Sequence, residues 1–246
     1  MTRRIILFAG PSLPAGTCLP PSIELRPPAR CGDLLAAAPA RPQAIALVDG
    51  RFEDAPAVWH KEIAWALACG VAVFGAASLG ALRAAELEAL GMIGVGRIYA
   101  DYRDGTIERD DAVMVLTAPP ELGHRALTLA LVDAEASIAA AGLAEDVRAR
   151  LLAIARACNF RTRTWPFIIS AYAERVGTVS ARAAADAIAR AAFSQKERDA
   201  AELIALLDAG PIVPPPPVRM PHTIFLRRLL AQVQADARQA ATAIPA

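Results

Sequence analysis

The sequence predicts an α/β protein, with a small parallel, Rossmann-like sheet in the N-terminal half followed by a mostly helical C-terminal half. Two observations carry the first part. Apolar runs of four or five residues, without polar alternation, recur at Ile5–Ala9, Ile45–Val48 and Val71–Phe74, the pattern of parallel strands buried on both faces. Helix-forming segments separate them, so the order β-loop-α-β-α-β-α calls for right-handed crossovers within one sheet. The third observation is the alanine-rich, glycine-punctuated sequence from about Glu121 onward, which reads as successive helices. The expected division is residues 1–118 as the α/β core and 119–246 as the helical region. A chain of 246 residues that is 55% apolar can bury a substantial core.

Strand one, Ile5 to Ala9, is closed by Gly10-Pro11-Ser12. Pro11, Pro14, Pro20, Pro21, Pro27 and Pro28 follow and exclude helix, so a long loop is expected at the carboxyl edge of the sheet. Asp33 to Ala38 is a short helix, and Ile45 to Val48 is strand two, ending at Asp49-Gly50. Pro56 suits the first turn of a helix reaching Cys69, with Trp59, Ile63 and Leu67 on one face. Strand three turns through Gly75-Ala76-Ala77-Ser78 into a helix from Leu79 to Leu90, stopped by Gly91. Gly91 to Asp111 is a connector with a turn at Asp104-Gly105, and Val113 to Leu116 suits either a fourth strand or a helix start. Breaks near Gly142, Asn159 to Pro166, Gly177 and Gly210 divide the helical half. A spacer at Pro214 to Pro217 precedes a last amphipathic helix from Thr223 to Ala240.

A net charge of +1 gives no reason to expect nucleic acid or an anionic membrane as a partner. Met1, Arg3 and Arg4 imitate a signal peptide, but Ile5 to Ala9 is too short for its apolar region. No run approaches the roughly 20 apolar residues of a membrane span. Cys18, Cys31, Cys69 and Cys158 stand alone, which argues against zinc or a disulfide framework and for a cytoplasmic location. No phosphate-binding glycine loop follows strand one, and Asp110-Asp111 reads as a charged turn rather than a metal site. No cofactor or metal is expected.

Parallel strands end on one crest, where open sheets bind ligands. That places Ser12, Asp49 and Ser78 together, with His60 and Lys61 in the first turns of the neighbouring helix. Ala76-Ala77-Ser78-Leu79-Gly80 is close to a nucleophile elbow, with alanine at the first glycine. In the catalytic reading Ser78 is the nucleophile, His60 its base and Asp49 the orienter. In the plain reading Ser78 caps its helix, and Asp49-Gly50 is only a turn. Arg83 and Glu86, at i and i+3, are either a surface ion pair or an anion site held in place by the glutamate. Ser12 and Lys61 complete the candidate binding set.

Several blocks resemble the TfuA-like proteins in order and spacing over about residues 5 to 135. They are Phe8 to Leu13, Arg30 to Leu34, Ile45 to Phe52, Ala57 to Ile63, Val73 to Leu87, Gly91-Met92-x-Gly94-Val95-Gly96 and Tyr102-x-Asp104-Gly105. Gln195-Lys196-x-Arg198-Asp199-Ala200 resembles the family more loosely. Two departures fall at Ala112, where relatives carry an acid, and at Thr128-Leu129 with Asp133-Ala134-Glu135. TfuA-like proteins accompany YcaO enzymes, which activate a peptide amide with ATP so that sulfur replaces its oxygen. The resemblance implies an accessory of a YcaO-type enzyme acting on a precursor peptide. Its role is either to release sulfur from a thiocarboxylated sulfur-carrier protein, with oxyanion donors at the Leu79 helix start, or to dock and activate without chemistry.

Overall fold

The computed structural model describes residues 4–51, 55–220 and 223–242, so Met1, Arg3, Phe52 and His222 lie outside the described residues. Five strands form one sheet: β1 (Ile5–Phe8), β2 (Ile23–Arg26), β3 (Ala44–Leu47), β4 (Ala72–Ala76) and β5 (Ile93–Val95). Their order is β2-β1-β3-β4-β5, and every pairing is parallel. The chain passes from β1 outward to β2 and returns across β1 to β3. The crevice between the carboxyl ends of β1 and β3 is therefore the topological switch point, where such sheets seat ligands.

β1, β3 and β4 are buried along their whole length. Alternate residues face opposite ways, so each strand feeds two cores. Ile6, Phe8, Ile45, Leu47 and Val73 pack with Leu34, Ile63 and Leu67 of α1 (Asp33–Ala37) and α2 (His60–Ala68). Also in that core are Leu79 and Leu82 of α3 (Leu79–Leu87), which continues as a 3-10 turn to Leu90. On the other face Ile5, Leu7, Ala46 and Phe74 meet Ala200, Leu203 and Leu207. The sandwich thus has three layers, and its second helical layer comes from the C-terminal half.

Two strands were hidden in the sequence. β2 lies within the proline-rich segment read as a loop, and only Ile23 of it is buried. Its solvent face carries Glu24, which receives Arg4 and Arg26 at 2.7 Å each. β5 and α4 (Arg97–Arg103) occupy the segment read as a connector. Glycines permit this packing: a Cβ at Gly94 would sit 2.1 Å from the Tyr99 ring. Trp59, placed on the buried face from its spacing, is instead the N-cap of α2 and 40% exposed. Glu62 closes that cap by accepting from Trp59 N at 2.9 Å. It also accepts from Gly32 N at 2.7 Å, and burial raises its carboxyl above the ordinary range.

Val113 to Leu116 forms neither strand nor helix. It leads into a hairpin bridged at Thr117 and Ala126, so the helical region starts later than expected. It consists of α5 (Leu131–Ala140), α6 (Glu145–Ala157), α7 (Trp165–Val176), α8 (Thr178–Ala191), α9 (Gln195–Ala209) and α10 (Ile224–Thr242). No helix among the described residues is long and apolar enough to cross a membrane.

Arg163, fully buried, joins this region to the core. It donates to Cys158 O at 2.9 Å and Ala155 O at 3.2 Å, and reaches Asp111 at 3.3 Å. Arg109 first and then Arg163 hold the Asp111 carboxyl below its ordinary range. That stabilisation is present above the ordinary carboxylate range and is lost as pH falls through the lowered folded value. Arg163→Met strands these acceptors and should lower stability by about 3 kcal/mol at neutral pH. An unshifted urea midpoint would contradict this.

Candidate functional site

The turn after β1 places Gly10 and Ser12 at the switch point, and Asp49 enters from the end of β3. Asp49 is 1% exposed. One of its oxygens accepts from Gly10 N at 2.8 Å and Ser12 N at 2.9 Å, and the other from Ser12 Oγ at 2.6 Å. The crevice is therefore filled by the protein's own carboxylate, held by three donors. Ser12, read as a binding residue, is fully buried and bonded to Asp49.

Ser78 follows β4 through a tight turn. Ala77 has a φ of 66°, a left-handed conformation that costs a non-glycine residue roughly 1–2 kcal/mol. The turn lets α3 start directly above β3, where Gly80 N donates to Val48 O at 3.1 Å. Ser78 makes no side-chain cap of α3. Its hydroxyl, 1% exposed, is directed instead at Val113 O, at 3.4 Å. The capping reading of that hydroxyl gives way to a contact across the crest.

Lys196 is the residue missed from sequence. It stands in the first turn of α9, which Ser194 caps by accepting from Glu197 N at 3.1 Å. Asp133 fixes the same turn, accepting from Ser194 Oγ and Lys196 N at 3.1 Å each. Burial is the main influence on the Asp133 carboxyl and raises it. So oriented, Lys196 is 3% exposed, with Nζ donating to Val113 O at 3.1 Å and lying 3.9 Å from Asp49 Oδ1. Ser78 and Lys196 thus converge on one carbonyl oxygen, with Asp49 and Ser12 behind the lysine. The signal available in the sequence was the Gln195-Lys196-x-Arg198-Asp199 block. Asp199 anchors it by accepting from Ile98 N at 2.7 Å, at a place where a Gly96 Cβ would collide with the Asp199 side chain.

His60 does not join this group. Its Nε2 lies 2.8 Å from Glu86 Oε2, and Arg83 Nη1 meets the same oxygen at 2.5 Å. Glu86 is eight residues beyond Ser78, about 12 Å along the helix axis. Arg83 also donates to Val58 O at 3.2 Å, so this pair braces the entry to α2. Lys61 donates to Thr223 Oγ1 at 3.1 Å, at the start of α10. Ser78, His60 and Asp49 therefore form no hydrogen-bonded chain. The amine that shares an acceptor with the Ser78 hydroxyl is that of Lys196, and the groups holding Asp49 are Gly10 N, Ser12 N and Ser12 Oγ.

Among the described residues no three His, Cys, Asp or Glu side chains are grouped to hold a metal ion. Cys31 is a poor nucleophile, since burial and then the Glu62 carboxylate push its thiol up to about 12.

Comparison with curated proteins finds no match. The TfuA-like protein family model matches residues 49–164, a segment holding Asp49, His60, β4, Ser78 and Val113 and lying between Ser12 and Lys196. Over that segment the chain is similar to the TfuA-like proteins.

Proposed function

We propose that this protein serves a YcaO-type enzyme in peptide backbone thioamidation, supplying sulfur by hydrolysing a thiocarboxylated sulfur-carrier protein at a Ser78–Lys196 pair. The observation that carries this reading is the convergence of Ser78 Oγ and Lys196 Nζ on Val113 O. The shared acceptor brings a hydroxyl and an amine to one point of the crest, and a serine–lysine pairing is an established variant of the serine–base arrangement. The Val113 carbonyl marks where a substrate carbonyl would lie.

In the proposed reaction Ser78 Oγ attacks the thiocarboxylate carbon and its proton passes to Lys196 Nζ. The C–S bond then breaks, and the departing sulfur takes that proton as hydrosulfide. Water next attacks the serine ester, releasing the carrier carboxylate and restoring the hydroxyl. The N–H at the Leu79 start of α3 suits the developing oxyanion, because Gly80 N is engaged by Val48 O. Asp49 positions the lysine. Sulfide then reaches the amide of the precursor peptide activated by the YcaO partner.

The second reading is a docking module that activates the YcaO enzyme without chemistry. The burial of Ser78 and Lys196, 1% and 3% exposed, favours it. Ser78→Ala separates the two in a reconstituted system. Loss of sulfide release and of thioamide formation, with the YcaO complex intact, supports hydrolysis. Full thioamide formation by the variant would leave docking as the function.

A further inference from the structure

The hydroxyl of Ser78 and the amine of Lys196 share an acceptor that belongs to the protein itself. Val113 O lies 3.4 Å from Ser78 Oγ and 3.1 Å from Lys196 Nζ. It is carried by a short stretch, residues 112–115, held between two posts. Upstream, Asp111 accepts from Arg109 Nε at 2.7 Å and Nη2 at 2.8 Å, and Arg163 Nη2 reaches it at 3.3 Å. Downstream, Leu116 N donates to Thr128 Oγ1 and Leu116 O accepts from Leu127 N, both at 2.8 Å. Among the described residues, the hydrogen bonds that tie 112–115 to anything beyond its own turn are the two at Val113 O. Apolar burial supplies the rest of the hold: Ala112, Val113 and Val115 are 2%, 0% and 6% exposed.

We propose that residues 112–115 are a plug that keeps the Ser78–Lys196 site closed, with Val113 O standing in for a substrate carbonyl until the thiocarboxylate displaces it. This rests on the hydrolytic reading above and supplies its regulation. A serine hydroxyl has one hydrogen to donate. While that hydrogen points at Val113 O it is not directed to Lys196 Nζ, so the closed arrangement cannot begin the attack. Lifting the segment between its posts breaks few hydrogen bonds, which makes it a local opening rather than a global unfolding. It also uncovers three apolar side chains, and this keeps the closed state dominant. An incoming carbonyl takes over both donors, so the two hydrogen bonds are exchanged rather than lost. Because substrate binds only the open state, its apparent affinity is reduced by the open fraction. A loosened plug therefore makes a faster hydrolase.

Lys61 and Lys196 are the only lysines of the chain, which gives the opening a direct readout. The full chain is pulsed with the N-hydroxysuccinimide ester of acetic acid, and acetyl-Lys196 is measured by mass spectrometry against acetyl-Lys61. Thr128→Val removes the acceptor of Leu116 N, and Val115→Ala removes apolar anchorage. Each is expected to raise Lys196 acetylation at least about fivefold over wild type with Lys61 unchanged. Each should speed single-turnover sulfide release from a thiocarboxylated carrier protein by a similar factor. Wild-type acetylation of Lys196 as fast as that of Lys61, or a rate that neither variant raises, would overturn the plug. So would raised acetylation with unchanged or slower release, which makes the segment a support of the site. Raised acetylation with no sulfide release from any of the proteins, wild type included, would end the hydrolytic reading alone and leave the plug standing.

Discussion

Gly80→Ala should abolish cooperative folding. A Cβ at this position would lie 1.7 Å from Leu47 O and 2.6 Å from Leu47 C, and both are backbone atoms of the central strand β3. No rotamer change relieves such a clash, so α3 must lift off the sheet. The lift breaks the Gly80 N bond to Val48 O and uncovers Leu79 and Leu82, which are 1% and 7% exposed. Gly75 compounds the problem from β4, since its own added Cβ would meet Gly80 O at 2.1 Å. The expected cost exceeds about 4 kcal/mol, a large share of the roughly 5–15 kcal/mol that holds a domain folded. Gly210→Ala is the control: its nearest contact would be Leu206 O at an ordinary 3.4 Å. Urea unfolding should show a near-native midpoint for Gly210→Ala and no cooperative transition for Gly80→Ala. A wild-type midpoint for Gly80→Ala would contradict the close crossing of α3 over β3.

What the sequence disclosed follows from how strongly local patterns are imposed. β1, β3 and β4 are buried on both faces, so their residues form unbroken apolar runs that stand out. β2 and β5 are edge strands. β2 buries only Ile23 fully and lies between prolines, and β5 has three residues, so neither leaves a readable period. The crest was legible because parallel strands must finish together, which put Ser12, Asp49 and Ser78 at one edge. The partner of each was not, because hydrogen bonding depends on the few ångströms that topology does not fix. His60 begins α2 at the correct edge but faces the flank of α3, where Glu86, itself paired with Arg83, meets it. Lys196 escaped because it lies 118 residues beyond Ser78 in the sequence, on a helix with no local sign that its first turn closes over the sheet. The loosely matching Gln195-to-Ala200 block was the one clue, and its meaning required the fold.

Lys196→Met should fold and still fail at sulfur release. Asp49 keeps three donors without the lysine, from Gly10 N, Ser12 N and Ser12 Oγ. Val113 O keeps the Ser78 hydroxyl, and the α9 cap at Ser194 involves no lysine side chain. Methionine matches the lysine stem in length and apolar character, so the stability cost should be about 1–2 kcal/mol. Loss of the base should cost far more in rate, on the order of 10²–10⁴-fold. His60→Gln, which alters a contact with Glu86 outside the crest, should leave the rate within about twofold, since a transition-state effect below 0.4 kcal/mol is expected there. The decisive measurement is single-turnover sulfide release from a thiocarboxylated carrier protein by wild type, Lys196→Met and His60→Gln, each at matched folded fraction. A Ser78–Lys196 site predicts at least a hundredfold loss in Lys196→Met and none in His60→Gln. Undiminished release by Lys196→Met, or a loss confined to His60→Gln, would contradict it.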